Sequence, residues 1–304
     1  MSDKPRQINA HLALLAVGLI YGANYVIAKS VMPDPIPPNA FILMRVLGAV
    51  SLFWLIRFFL PEKVEKKDFL RLILCGMTGV AINQLLFFQG LNLTSPINAS
   101  VIMTSNPIIV MVFASIVLHN PISKRKFIGV VLGAVGSIAL ILLSASDDSQ
   151  ISSPLGDLFI LINAISYAVY LVAVKPLMSK YKPLTVITWV FTFGLIMVTP
   201  FGIGPVQDIV WSGFDTWQIF SLIYVIVFTT FLAYLMNVYA LSIVQPTVSS
   251  AYIYLQPLFA TLAGFVLAGI IGINYSADFG WKKMLCTALV FAGIYLVSFG
   301  KKKA

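Results

Sequence analysis

The sequence predicts an all-α integral membrane protein in which ten transmembrane helices form two inverted five-helix repeats. The chain of 304 residues is 59% hydrophobic and 10% charged, whereas soluble domains carry about 25% charged residues. Its apolar residues form ten runs of about 20 residues, which is the length of a membrane-spanning helix. The pattern of the first five runs returns, in the same order, in the last five.

Each apolar run is expected to be a helix, because lipid leaves every backbone polar group to be paired inside the protein. Strands of a membrane barrel would be about 10 residues long and would alternate in polarity. The connections between the runs are short, so no soluble domain is expected. The predicted spans are 10–30, 39–59, 69–90, 97–118, 126–143, 155–178, 184–203, 216–241, 247–270 and 282–299.

An internal repeat divides the chain into two predicted five-helix units, residues 1–148 and 149–304. The matching residues occur in the same order in both units: Tyr21, Lys29, Met32, Pro96, Ser100 and Asn106-Pro107 correspond to Tyr167, Lys175, Met178, Pro246, Ser250 and Gln256-Pro257. Five crossings per unit is an odd number, so the second unit is inverted relative to the first. Inverted units that face each other in a bilayer are typical of secondary transporters.

The distribution of basic residues predicts the orientation in the membrane. Sixteen of the 20 Lys and Arg residues lie at span ends that share a side with the N-terminus, and the exceptions are Lys29, Arg45, Lys282 and Lys283. Cytoplasmic loops carry such an excess of basic residues. We therefore predict a multi-pass protein of the plasma (inner) membrane with both termini in the cytoplasm. The net charge of +9 reports this topology, and no nucleic-acid partner is expected.

The sequence contains no pattern for soluble catalysis or for cofactor binding. It has no phosphate-binding loop, no metal-spaced set of His and Cys residues and no Ser/His/Asp arrangement. Cys75 and Cys286 both fall within predicted spans, where free cysteines behave as small buried apolar residues. We therefore expect neither an enzyme nor a bound metal or cofactor.

Two prolines lie near the centres of equivalent predicted spans, Pro107 in the fourth and Pro257 in the ninth. Proline lacks an N–H group and crowds the carbonyl group four residues earlier. The carbonyl groups of Met103 and Ile253 should therefore lose their helical partners, which is costly in lipid unless they face protein or water. One interpretation is a pair of hinged helices that line a substrate cavity. The other is a kinked helix whose neighbouring amide side chain joins adjacent helices.

Arg45 is the one charged residue well inside a predicted span, about seven residues from its outer end. A charged residue within the membrane is a functional candidate, although a long side chain near the interface also extends its charge towards water. All 11 acidic residues fall in loops or at the ends of spans. Arg45 is therefore expected to donate to carbonyl groups or to bind an anionic group on a substrate, and proton coupling through a carboxylate has no support.

Polar and aromatic residues recur at matching positions of the two units, and they suggest a cavity for a small-molecule substrate. Packing or interfacial anchoring is the alternative for any single tyrosine. The predicted hinge residues are Pro107 and Pro257, and the predicted substrate-binding residues are Asn24, Arg45, Gln84, Asn106, Tyr167, Tyr170, Tyr234 and Gln256.

A glycine face in the fifth span predicts close contact with another helix. Gly129 and Gly133 form a GxxxG pattern, Gly136 extends it, and Gly293 occupies the equivalent span of the second unit. Small residues at this spacing allow two helix backbones to approach closely. The contact is expected either between the two units of one chain or between the subunits of a homodimer.

The chain resembles the drug/metabolite transporter superfamily, in its EamA-type branch of ten-helix permeases. The residues that carry this resemblance are Tyr21-Gly-Ala-Asn24 with Lys29, Pro37-Pro38 with Arg45, Ser105-Asn-Pro107, Leu255-Gln-Pro257, and Lys124-Arg-Lys126 before Gly129. The resemblance implies a five-plus-five inverted-repeat fold and the export of amino acids or other small metabolites. The chain has His119-Asn120 and Gly272-Ile-Asn274 where the family often has a glutamate, so no role of those glutamates carries over.

These observations together predict a secondary transporter of small organic metabolites, an amino-acid or metabolite exporter that works by alternating access in the lipid bilayer. An exchanger of sugar phosphates or nucleotide sugars is one alternative, but such anionic cargo should need several basic residues, and the spans offer Arg45 with Lys29 at one end. A non-transporting receptor or scaffold is another, but it should carry a soluble domain or a docking tail, whereas the tails are about nine and five residues long.

Overall fold

A computed structural model describes residues 4–93, 102–119, 121–144, 153–271 and 281–298, in which every regular element is a helix. The helices are α1 (Lys4–Lys29), α2 (Pro38–Phe59), α3 (Lys66–Leu93), α4 (Asn106–Val117), α5 (Lys124–Ser144), α6 (Pro154–Met178), α7 (Pro183–Gln207), α8 (Thr216–Ile243), α9 (246–271) and α10 (Trp281–Ser298). The predicted all-α class is confirmed for these ranges.

Seven of the described helices are long and apolar enough to cross a membrane, namely α1, α2, α3, α6, α7, α8 and α9. Two shorter apolar segments, Asn106–Val117 and Met284–Ser298, lie in α4 and α10. Large apolar side chains cover the outside of the bundle, and Phe58 and Leu70 are 80% and 77% exposed. Apolar exposure on this scale suits contact with lipid rather than with water.

The helical path is irregular at equivalent places in the two predicted units. A π-helical segment interrupts α3 at Met77–Ala81, and another interrupts α8 at Val225–Leu232. A turn at residues 104–105 precedes α4, and a 3₁₀ segment, Tyr252–Leu255, divides α9. Such interruptions expose backbone groups or shift side chains, and π segments are frequent at functional sites.

Each of the two prolines occupies the second position of a regular helical segment. Pro107 follows Asn106 at the start of α4, and Pro257 follows Gln256 at the start of the segment Gln256–Ile271. Proline fits the first turn of a helix because the N–H group that it lacks has no partner there in any case. The chain therefore leaves the α-helical path just before each proline instead of bending at it.

Helices of one predicted unit pack mainly against helices of the other. The pairs with extensive contact are α5 with α10, α2 with α7, α3 with α6, and α1 with both α8 and α9. The predicted boundary between residues 148 and 149 lies outside the described residues, so the division into units stays a prediction. The interdigitation means that any cavity at the centre of the bundle is walled by both units.

The glycine face of α5 packs against α10 within the same chain. A Cβ atom on Gly129 would lie 2.8 Å from the carbonyl oxygen of Gly293, and one on Gly293 would lie 2.6 Å from the carbonyl oxygen of Gly129. A Cβ atom on Gly136 would lie 2.8 Å from the carbonyl oxygen of Cys286. The motif therefore joins the two units, and the predicted homodimer, which stays a prediction, would need a different surface.

The turn between α2 and α3 and the turn between α6 and α7 meet at one end of the bundle. Lys180 Nζ lies 2.7 Å from Glu65 Oε1 and 2.5 Å from Asp68 Oδ2, and the Tyr181 hydroxyl donates to Asp68 Oδ2. Hydrogen bonds from Lys180 and Lys67 lower the pKa of the Glu65 carboxyl, and hydrogen bonds to Asp68 and Glu65 raise the pKa of Lys180. Glu65 and Lys180 therefore both stay charged at neutral pH.

The turn between α8 and α9 lies at the same end. Lys175 Nζ donates to the backbone carbonyls of Leu241 and Val244, the latter at 2.7 Å, so this cation caps the C-terminus of α8. Lys126 Nζ, at the start of α5, donates to Gln245 Oε1 over 2.5 Å. Lys126, Lys175 and Lys180, which the sequence analysis assigns to one side of the membrane, thus lie at one end of the bundle.

We expect Gly129→Ala to destabilise the protein, because the new Cβ atom would press on the backbone of α10. Overpacking of this kind costs about 1–3 kcal/mol, and the expected readout is a lower midpoint in a thermal unfolding assay of the purified protein. Gly213→Ala is the matched control, since no atom apart from its neighbours in the chain lies within 4 Å of its added Cβ. An unchanged midpoint for Gly129→Ala would contradict the tight contact between α5 and α10.

Candidate functional site

A central cavity of about 130 Å³ lies among α1, α2, α3, α6, α8, α9 and the turn before α4. Its polar and aromatic lining consists of Tyr21, Asn24, Arg45, Asn83, Gln84, Phe87, Phe88, Asn163, Tyr167, Thr229, Tyr234, Asn237, Ser249, Tyr252 and Gln256. The volume is well below the ~300–1,000 Å³ of pockets for drug-sized ligands. In this conformation the cavity suits a small solute.

The two residues that precede the prolines by four positions, Met103 and Ile253, both line this cavity. Proline removes the usual donor to each of these carbonyl groups. The expectation that both would lose a helical partner is wrong for Ile253, because the backbone N–H of Gln256 donates to its carbonyl oxygen across the 3₁₀ segment. Irregular backbone at membrane depth is tolerated where it faces protein or a hydrated space. The helix interruptions of the two predicted units therefore converge on the same cavity.

Six of the eight predicted substrate-binding residues line the cavity, and two do not. The six are Asn24, Arg45, Gln84, Tyr167, Tyr234 and Gln256. Asn106 is fully buried and donates through Nδ2 to the carbonyl oxygen of Ala164 over 2.8 Å, so its amide joins α4 to α6. Tyr170 is fully buried against Gly79, where a Cβ atom would lie 2.5 Å from the ring.

Arg45 lies in the cavity wall with 4% of its surface exposed. Its Nε atom donates to Thr230 Oγ1 over 3.0 Å, and the Thr230 hydroxyl donates to the carbonyl oxygen of Val225 within the π segment of α8. The guanidinium carbon lies 5.6 Å from the centre of the Phe88 ring, within range of a cation–π contact. Arg45 is thus held by α8 and α3 in the interior of the bundle.

Hydrogen bonds between side chains join the walls of the cavity. Gln84 Nε2 donates to the Tyr234 hydroxyl over 2.9 Å, which joins α3 to α8. Asn237 Nδ2 donates to the Tyr167 hydroxyl and Oδ1 accepts from Ser249, both over 2.8 Å, so α8 is also joined to α6 and α9. These bonds orient the polar side chains, and a fixed orientation favours selective binding.

Several lining oxygens accept no hydrogen bond from the described residues. They are Asn24 Oδ1, Gln84 Oε1, Asn163 Oδ1 and Thr229 Oγ1. The orientation of Asn163 is fixed, because its Nδ2 donates to the backbone carbonyl of Asn83 and a carbonyl group only accepts. A buried acceptor without a donor costs about 1–3 kcal/mol. Such oxygens are suited to accept from water or from a solute.

The predicted substrate-binding set omits seven lining residues with a polar side chain, namely Tyr21, Asn83, Asn163, Thr229, Asn237, Ser249 and Tyr252. Their signal was a small polar or aromatic side chain in an apolar run, which many packing residues share. His11 Nδ1 lies 2.8 Å from the hydroxyl of Tyr252, a residue of the cavity lining. No periodicity in the sequence indicates that contact.

No group of three or more His, Cys, Asp or Glu residues is placed to hold a metal ion in the described ranges. No acidic residue is among the described residues that line the cavity. The site can therefore offer a solute one cation, several hydrogen-bond acceptors and aromatic faces.

The cavity lining can be tested by cysteine accessibility in a background with Cys75 and Cys286 replaced by alanine. We expect Asn24→Cys to react with a small, water-soluble thiosulfonate on the order of tenfold faster than Asn106→Cys, because the reactive thiolate requires contact with water. The two variants are matched in chemistry and differ in whether the position lines the cavity. Equal reaction rates would contradict the placement of the cavity.

Comparisons with known proteins agree with this architecture. A model of the EamA-like transporter family matches residues 8–142 and again residues 154–299. The chain is 24% identical to an uncharacterized transporter of Archaeoglobus fulgidus, over 95% of this chain and 96% of that protein. It is 25% identical to the uncharacterized transporter YetK of Bacillus subtilis, over 98% and 89% of the two chains.

More distant similarities extend the comparison. The protein WALLS ARE THIN 1 of Arabidopsis thaliana is 21% identical over 98% of this chain and 85% of its own length. A solved crystal structure aligns with a TM-score of 0.73 over 94% of this chain and 95% of that one, at 14% identity, which is a likeness of fold. The two matches of the family model span nearly all of the sequence, and the chain therefore belongs to the EamA-like transporter family of the drug/metabolite transporter superfamily.

Proposed function

We propose that this membrane transporter exports small organic metabolites, amino acids among them, by alternating access across the plasma membrane. The observation that carries the proposal is the central cavity, in which helices of both predicted units place a buried Arg45 and unpaired amide oxygens at membrane depth. Polar groups at this depth are expensive and mark the path of a substrate. A purely structural bundle has no need of them.

Ten spans in two inverted units are the architecture that we propose for this transport. The π segments of α3 and α8 and the interruptions before Pro107 and Pro257 recur at equivalent places, which supports a duplicated unit. The family model also matches the chain twice, once on each side of residue 148. Inverted units provide two related conformations, one open to each side of the membrane.

We propose that the end of the bundle where Lys126, Lys175 and Lys180 meet faces the cytoplasm. The positive-inside rule supports this assignment, since the turns at this end hold most of the basic residues. Both termini are then cytoplasmic.

The alternative cargo, a sugar phosphate or nucleotide sugar, finds less support in the cavity. Arg45 is the one basic residue among the described residues that line it, and the side chain of Lys29 lies outside the described residues. The volume of about 130 Å³ is also small for a nucleotide. A receptor or scaffold gains no support from relatives that are named transporters.

The proposal is tested by profiling metabolites in the medium of cells that overexpress the protein and of cells that lack the gene. We expect one or a few small amino acids or related solutes to accumulate outside the overexpressing cells under a matching nutrient load. Empty-vector cells with equal membrane-protein content serve as the control. The absence of any difference under several nutrient loads would refute export.

The hinge assignment predicts that Pro107→Ala and Pro257→Ala lower the flux of the exported solute more than they lower expression. Alanine restores an N–H group to each interrupted helix and favours a continuous α-helical path, so the flux per molecule should fall about tenfold, a change of ~1.4 kcal/mol in the barrier. Pro154→Ala is the control, because Pro154 also begins a helix but lies at the start of α6, away from the cavity. Wild-type flux at equal surface expression would remove the hinge role.

A further inference from the structure

A second cavity lies on the outer surface of the bundle, between α1, the start of α7 and α8. Its volume is about 710 Å³, and its lining is mostly apolar, with Leu12 and Ala13 of α1, Leu184 of α7, and Leu235 and Met236 of α8. None of the described residues lines both this lateral groove and the central cavity, because α1 and α8 present different faces to the two spaces. The lateral groove is therefore separate from the path proposed for the transported solute.

The lateral groove begins at the end of the bundle that holds the basic turns. Lys182, which immediately precedes α7, and Asn9, near the start of α1, belong to its lining at this end. The lining then follows α1 from Asn9 to Ala13, which is about one helical turn. Leu12 is 57% exposed, so the groove is open towards lipid. The groove thus runs from the polar end of the bundle onto its apolar outer surface.

The ammonium group of Lys182 makes no ion pair with any described residue. Its neighbour Lys180 differs, since its Nζ lies within 2.7 Å of Glu65 Oε1 and at 2.5 Å from Asp68 Oδ2. The carboxyl group of Glu62 accepts from the backbone N–H of Lys182 over 3.1 Å and is in no ion pair with its side chain. Lys182 is exposed, and its charge is available to a ligand at the mouth of the lateral groove.

A second cation lies on the same side of α1. Arg6 precedes Asn9 by three residues and Ala13 by seven, and helical residues at these spacings share a face. It is therefore one turn nearer the end of the bundle than Asn9, beyond the apolar part of the groove. Arg6 is exposed and makes no ion pair within the described ranges. No acidic residue is among the described residues that line the groove.

An apolar groove with unpaired cations at one end favours a ligand that has an apolar body and an anionic end. A phospholipid has this form, because its phosphate lies between the head group and the acyl chains. A zwitterionic head group carries its own cation, which offsets the phosphate charge, whereas an anionic head group leaves a net charge for the protein to pair. Basic pockets between transmembrane helices on the cytoplasmic side bind anionic head groups in this way.

We propose that the lateral groove binds an anionic phospholipid. The phosphate lies between Lys182 and Arg6, and an acyl chain packs against Leu12, Leu184 and Met236. This site goes beyond the proposed function, since it is distinct from the cavity for the solute. The lipid joins α1 to α7 and α8, and its binding should therefore stabilise the folded protein.

The test uses the full-length protein in a non-ionic detergent and three probes. Dioleoylphosphatidylglycerol and dioleoylphosphatidylcholine have the same acyl chains and differ in net charge, and inorganic phosphate has the charge without the chains. Binding is measured by titration as the ligand-induced rise in the unfolding midpoint. We expect the phosphatidylglycerol to bind about tenfold more tightly than the phosphatidylcholine, because two basic residues attract its net charge. Inorganic phosphate alone should leave the midpoint unchanged.

Charge variants test the anionic end of the site. Lys182→Gln and Arg6→Gln should each reduce the preference for phosphatidylglycerol, and the double variant should bind the two lipids with similar affinity. Lys66→Gln is the matched control, because Lys66 is an exposed lysine of the α2–α3 turn that does not line the groove. It should keep the wild-type preference.

A pair of leucine variants tests the apolar part. Leu12→Trp should fill part of the lateral groove and weaken the binding of both lipids, while their affinity ratio stays the same. Leu19→Trp is the control on the same helix, since Leu19 is 47% exposed and lies outside the groove. Both positions face outward, so folding should tolerate both substitutions.

The outcomes decide each part of the assignment. Equal affinities of the wild-type protein for the two lipids, or a double variant that keeps the preference for phosphatidylglycerol, would overturn the role of Lys182 and Arg6. A Leu12→Trp protein that binds lipid as well as Leu19→Trp would overturn the placement in the lateral groove. A rise with inorganic phosphate equal to that with phosphatidylglycerol would identify a site for free anions and overturn the lipid assignment. These results leave the transport function to the metabolite profiles.

Discussion

Lipid offers no hydrogen bonds, so every polar group that this chain places at membrane depth has to be satisfied inside the bundle. That constraint explains why the described residues form helices and no strands. It also explains the positions of the irregularities, since Met103 and Ile253, next to the helix interruptions, line the central cavity instead of facing lipid. The amide nitrogen of Asn106 follows the same rule by donating to the backbone of α6, whereas its Oδ1 has no partner among the described residues.

The same constraint divides the polar side chains into those that are paired within the chain and those that are left for a solute. Asn237 is paired on both sides of its amide, with Tyr167 and Ser249. Asn163 and Gln84 are paired through nitrogen and leave an oxygen unpaired. Hydrogen bonds within the chain therefore fix the orientation of these two amides, and their unpaired oxygens face the cavity. Fixed acceptors of this kind favour selective binding.

Hydropathy and length were sufficient to predict the fold class and the approximate helices, because a span of about 20 apolar residues leaves few alternatives in lipid. The prolines also indicated where the helices would be interrupted. The rotation of each helix about its axis was not accessible from the sequence, because it depends on packing between helices that are distant in the chain. Tyr167 and Tyr170 show the limit: they are three residues apart on α6, yet only Tyr167 reaches the cavity lining.

The equivalent positions Asn106 and Gln256 illustrate the same limit. Both begin a helical segment and are followed by a proline, but Gln256 lines the cavity whereas Asn106 joins two helices. A sequence repeat predicts similar backbone, and it does not predict that both copies keep the same neighbours. The two predicted units therefore share a similar backbone path, whereas the contacts of equivalent side chains differ between them.

Assembly of the bundle in the cell has to be completed after synthesis, because α5 leaves the ribosome long before α10 exists. Until α10 is inserted, Gly129 and Gly136 lack the backbone that covers them in the complete bundle, while Tyr254 of α9 packs on Gly133. The packing of α10 against α5 therefore completes the contact between the fifth helix of each predicted unit.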